Sequence, residues 1–236
     1  MIKFFRKIRQ QLLTQNRFSQ YLLYAIGEIV LVVVGILIAL SINNWNEGKK
    51  SKRIETSILH ELHKDFINNK LRFDGVKQIY KAGLDATEKI ISFIPFEELE
   101  HSVDSFYKYR HIAFKTKTFE AANGTVESII SSSSYTFITN DTLRNYLLSW
   151  KDVLRDYKEE EDFGWSALED EILPYEYTYF DKLNELNPEN RYPLETLRFK
   201  NLMVLRRNAL LSILSSINET EIEKTIDEII RLTTIE

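Results

Sequence analysis

The stretch that most constrains this chain is Tyr21–Trp45, YLLYAIGEIVLVVVGILIALSINNW. Its centre, Ile29–Leu40, is apolar throughout and interrupted only by Gly35. At about 1.5 Å per residue, a helix from Tyr21 to Trp45 spans roughly 36 Å, enough to cross a hydrocarbon core of about 30 Å. Tyr21 and Tyr24 then stand at one interface and Trp45 at the other, where rings with an apolar body and a polar tip are favoured. Val32, Val33 and Val34 are poor helix formers in water. In hydrocarbon the helix is favoured regardless, because its backbone groups have no water to bond. A buried core helix rarely stays apolar for so long. Ala39-Leu40-Ser41 has a weak likeness to a cleavage site, but the apolar run exceeds the usual signal-peptide core of about 7–15 residues. The expectation is an uncleaved signal anchor.

Orientation follows from flanking charge. Lys3, Arg6, Lys7, Arg9 and Arg17 precede the run, and Lys49, Lys50, Lys52 and Arg53 follow it. The margin of five to four places the N-terminus in the cytoplasm by the positive-inside rule, with the main domain outside the cytoplasm. Ile2, Phe5, Ile8 and Leu12 share one face of a basic amphipathic leader suited to a membrane surface. The expected organisation is a cytoplasmic leader at 1–18, a transmembrane helix at 19–46 with Ser19 as N-cap, and an extracytoplasmic domain at 47–236.

That domain reads as all-α, an antiparallel bundle of long helices following the single N-terminal transmembrane helix. Only 7 Gly and 4 Pro occur in 236 residues, which disfavours a turn-rich β fold. After NEGKKSKR, either a hinge or continuous helix, the period of three and four resumes through Ile54, Ile58, Leu62, Phe66, Phe73, Val76, Tyr80, Leu84, Thr87, Ile91 and Ile94. A second helix is expected over 96–113. Residues 114–140 are less regular, with a short helix around Phe119–Ile130 and a loop or frayed end at Ser131–Ser134. Asn140 or Asp141 can cap a helix that carries Leu143, Leu147, Trp150, Leu154 and Tyr157 and extends toward Ile172, before Pro174. Tyr175–Phe180 is expected as a helical turn, Asn187–Asn190 as a turn, and Leu194–Leu232 as helix, interrupted at Asn218.

Composition excludes several chemistries. The chain has no Cys, so disulfides, thiol catalysis and cysteine metal sites are ruled out. Residues 49–236 hold 26 basic and 33 acidic side chains, a balance that argues against nucleic acid as a partner. His60 and His63 are three apart, whereas the zinc-protease pattern needs four, so they read as a solvated helix face. Glu159–Asp162 reads the same way. No phosphate-binding glycine loop or nucleophile elbow is present. Neither enzymatic activity nor a cofactor or metal site is expected.

Within the span, Glu28, Val32, Gly35 and Ala39 fall on one face. Gly35 and Ala39 form a small-xxx-small pair that lets helices approach closely, and an intramembrane carboxylate by default faces a partner or a wet cavity. The expected partners are the lipid bilayer and either a second copy, giving a homo-oligomer, or another membrane protein. The alternative is that Glu28 snorkels to the headgroups and Gly35 is incidental.

Phe4–Gln20 followed by Tyr21–Glu47 resembles the opening of a bacterial membrane family known as domain of unknown function 6090. The shared pattern is Gly27-Glu28-Ile29, a valine-rich span, and Asn44-Trp45-Asn46-Glu47. Ile138–Trp150 is similar to that family's Asn-Asp-x-Leu-Arg helix start, at Asn140, Asp141, Leu143 and Arg144, with a serine run where the family often has a glycine turn. The resemblance implies a single-pass inner-membrane protein of unknown function and carries over no catalytic residue. The function expected is assembly or sensing by protein–protein contact. The alternative is an accessory subunit of an ion- or proton-coupled membrane complex using Glu28.

Overall fold

A computed structural model describes residues 18–94 and 99–235, with side chains at 18–21, 24 and 99–102 also outside the described set. The leader therefore lies outside the described residues. The described chain is all-α, with no strand. Its helices are α1 (Phe18–Ser92), α2 (Leu99–Ala113), α3 (Gly124–Ser131), α4 (Asp141–Ser166), α5 (Leu173–Tyr179), α6 (Arg191–Glu195), α7 (Leu197–Glu219) and α8 (Ile222–Thr233). Two compact units are present, Met1–Ile54 and Glu55–Glu236.

In the first unit, α1 is helical throughout, and Ser19 lies inside the helix instead of capping it. NEGKKSKR is helical as well, so the hinge alternative is not realised. Residues 29–46 are all exposed. Among the described residues, α1 is the helix long and apolar enough to cross a membrane.

The second unit builds its core from the faces that the periodicity marks. Leu62, Phe66, Phe73, Val76 and Tyr80 of α1 are buried with Leu143, Leu147, Trp150 and Tyr157 of α4. Phe66 meets Trp150 edge-on at 5.1 Å, and Phe73 meets Tyr157 at 5.6 Å, the geometry that ring quadrupoles favour. Helix α4 packs on α7 and α8. A second cluster joins Ala86 and Ile90 to Phe106, Phe180, Phe199 and Met203.

Local chemistry sets the element ends. Of the two candidate caps, Asn140 is the one used: its side chain accepts from the Leu143 N–H at 3.0 Å. Ser133 takes φ 58°, so the serine run ends α3 in a left-handed turn. The helix before Pro174 continues further than the sequence suggests. Residues Ala167–Ile172 widen into a π-turn, and α5 carries on to Tyr179 with Pro174 in its first turn. Proline lacks an N–H and crowds the carbonyl four residues back, and the widened turn accommodates it. Leu194–Leu232 breaks near Asn218 as expected, and also at Thr196, which was not expected. Thr196 caps α7 through the Phe199 N–H, and the chain turns again at Thr220–Glu221, where Glu221 has φ 53°.

Gly164 lies on the buried face of α4, where a Cβ would come within 2.5 Å of Ile213 Cδ1 on α7. Gly164→Leu is expected to lower unfolding free energy by about 1–3 kcal/mol through overpacking. Denaturant unfolding followed by circular dichroism checks this.

Candidate functional site

Two places in the described chain carry the features of a site, one in each unit. The first is the sequence-predicted face of α1. Val32, Gly35 and Ala39 are exposed and Glu28 is partly buried. A Cβ at Gly35 would meet no atom within 4 Å beyond its own helix. Trp45 is exposed, and the Lys49 ammonium sits 3.7 Å from its ring centroid. This cation–π pair keeps a charge at the aromatic end of the apolar run. Tyr21 and Tyr24 lie in the helix, but their side chains are outside the described set.

The second place was not anticipated from the sequence. Residues 115–123 have no helix, and buried backbone polar groups must find partners elsewhere. Buried side chains supply them. Asn69 of α1 pairs with Ala122 both ways, donating to its carbonyl at 3.2 Å and accepting from its N–H at 2.7 Å. Arg206 of α7, fully buried, donates to the carbonyls of Ala113 at 2.9 Å and Lys115 at 3.1 Å. A cation is well placed there, at the negative end of α2. Its Nη1 is buried without a hydrogen-bond partner. Burial pulls the guanidinium down to about 10.

Glu161 of α4 accepts from the Phe119 N–H at 3.0 Å and lies 3.2 Å from the Tyr80 hydroxyl. It is 3% exposed, which corrects the reading of Glu159–Asp162 as a wholly solvated face. Glu159 and Asp162 are exposed, Glu160 accepts from Ser212, and Glu161 points inward. The signal was available: Leu147, Trp150, Tyr157, Glu161 and Gly164 follow the three-and-four spacing of one helix face.

Burial raises the Glu161 carboxyl above its ordinary 4.5, against the lowering pull of the Phe119 N–H and the two tyrosine hydroxyls. Burial, reinforced by Glu161, also raises Tyr80 and Tyr157. Hydrogen-bond supply argues the same way. The Tyr80 hydroxyl has one proton and faces two acceptors, Glu161 and the Lys117 carbonyl at 3.0 Å. A proton on Glu161 removes that conflict, because Glu161 then donates to Tyr80 while Tyr80 donates to Lys117.

The pinned segment forms one side of a groove of about 540 Å³. Phe119, Ala121, Val126, Ile130, Trp150, Leu154 and Tyr157 supply its apolar surface, and Asn123 accepts from the Trp150 indole N–H at 2.8 Å. The volume lies within the roughly 300–1,000 Å³ range of small-molecule sites. Elsewhere, Glu176 is buried against the Arg110 guanidinium, with Lys182 at 3.2 Å. That cluster ties α2 to α5. His60 is exposed, and His63 lies within 3.2 Å of the Ile230 carbonyl and 3.1 Å of the Thr233 hydroxyl at the end of α8.

A family model described as "Family of unknown function (DUF6090)" matches residues 28–163. The match takes in the span from Glu28 and the Asn140–Arg144 helix start, bearing out the resemblance. No curated protein and no solved structure matches the chain.

The raised Glu161 value has a definite sign for stability. The folded chain holds this proton to higher pH than the unfolded chain does. The stabilisation it contributes is complete below about 4.5 and is lost as pH rises through the raised native value. Glu161→Gln, which keeps a carbonyl acceptor for Phe119, is expected to lose this component of the pH dependence. Thermal unfolding of both proteins from pH 4 to pH 8 checks it: the wild type should decline relative to the variant as pH rises.

Proposed function

This chain belongs to that family of unknown function, DUF6090, and from that premise we propose that it is a non-enzymatic, single-pass protein of the bacterial inner membrane. Its leader lies in the cytoplasm and the domain from 47 onward in the periplasm. It acts in assembly or sensing by protein–protein contact, and the membrane-embedded contact is the face Glu28, Val32, Gly35 and Ala39.

The observation carrying the reading is that the apolar stretch of α1 is exposed from Ile29 to Ala39, while the second unit has a core of its own. Water is a poor solvent for such a surface, since each fully buried large aliphatic side chain gains about 1.5–3 kcal/mol over its exposed state. Lipid and other membrane helices are the environments that cover it. Among the residues of this stretch, Gly35 and Ala39 leave the most room for a second backbone. The five-to-four excess of basic residues on the N-terminal side supports the orientation.

The absence of native cysteine makes the test clean, because an introduced thiol is the only one present. In membranes, single Val32→Cys, Gly35→Cys and Ala39→Cys variants are expected to form oxidative crosslinks several-fold more readily than Val30→Cys and Leu37→Cys on the opposite face. The mass of the adduct distinguishes a second copy from another protein. Equal crosslinking around the helix contradicts the assigned face. Alkaline phosphatase fused after Glu236 is expected to be active, and an inactive fusion contradicts the orientation.

A further inference from the structure

The groove beside α4 has a charge pattern that its apolar surface alone does not require. Lys151 and Lys158 line it from α4, while Glu120 lines it from the 115–123 segment and Glu127 from α3. None of these four side chains has an ion-pair partner among the described residues. Arg155, between the lysines, is held by Asp152 at 2.8 Å and Asp156 at 2.9 Å, so its charge is already answered. The two lysines are seven residues apart, two helical turns or about 10.5 Å. The groove thus has a cationic side on one element and an anionic side on two others, over a surface made by Trp150, Leu154 and Ile130.

Each alternative occupant leaves something unmatched. A purely apolar ligand fills the groove and ignores all four charges. An anionic amphiphile satisfies the lysines and brings its charge near Glu120 and Glu127. A head that carries both signs on one short unit meets both sides. We propose that the groove binds a single-chain zwitterionic amphiphile, with the acyl chain on the apolar surface, the phosphate toward Lys151 and Lys158, and the ammonium toward Glu120 and Glu127. The lining residues all belong to the second unit, so the inference stands independently of the membrane contact assigned to α1.

The test uses the full chain in phosphatidylcholine nanodiscs and a lysophosphatidylethanolamine with a photoreactive diazirine in its acyl chain. After irradiation, label is expected on peptides covering 119–131 and 150–158. Unlabelled lysophosphatidylethanolamine should displace it, with lysophosphatidylglycerol (no ammonium) and monoacylglycerol (no charge) each about tenfold weaker. Lys151→Glu with Lys158→Glu should cut groove labelling about tenfold, the loss expected when charge-assisted hydrogen bonds are removed. Both positions are exposed, and circular dichroism confirms that the variant is folded. The wild-type competition series is decisive without it. Label confined to the span overturns the site. Equal displacement by monoacylglycerol overturns the role of the head, and equal displacement by lysophosphatidylglycerol overturns the zwitterion.

Discussion

The second unit depends on how residues 115–123 keep their backbone satisfied without helix. The segment passes against the core, where an unpaired N–H or carbonyl costs about as much as a lost hydrogen bond. Three helices each give up a core position to a polar side chain to meet this need. Asn69 of α1 serves Ala122, Glu161 of α4 serves Phe119, and Arg206 of α7 serves Ala113 and Lys115. Tyr80 adds the bond to Lys117. These side chains hold Phe119 against Phe73 at 5.1 Å and fix the groove that the segment borders. The cost is a buried carboxyl with a raised proton affinity and a buried guanidinium with an unpartnered nitrogen.

What could be read from the chain alone divides along physical lines. Elements whose signal lies in local periodicity were legible: the face from Leu62 to Tyr80, the face from Leu143 to Tyr157, and the Asn140 cap. The interruptions were harder. Pro174 is a conventional stop, yet a π-turn lets the helix continue, and that depends on packing around Ala167 and Leu168. Thr196 can cap a helix or sit inside one, and the sequence pattern around Leu194 and Leu197 does not decide between these. The buried polar residues were the least visible. Glu161 lies in a run of four acidic residues, and charge composition outweighed its place on the apolar face. Its reason for being inside is Phe119, 42 positions away in the chain, a non-local need that no window around Glu161 contains.

The two units pose different problems of solvation. In the second, apolar faces close on one another, and the remaining exposed charge is mostly ordinary surface. In the first, the apolar residues of α1 are turned outward all round the helix. A helix that is apolar on every side needs a non-aqueous environment, and no face of it is reserved for water. The proposed role follows from that contrast. Packing within the second unit accounts for a stable domain, whereas the apolar stretch of α1 is left exposed over Ile29–Leu40.

The central claim is that α1 holds the chain in a bilayer as an integral protein. The direct measurement is extraction of membranes with alkaline carbonate, which strips peripheral proteins and leaves spanning ones behind, followed by immunoblotting of pellet and supernatant. The account predicts the chain in the pellet, and its release only by detergent. Recovery of the full-length chain in the carbonate supernatant would contradict it.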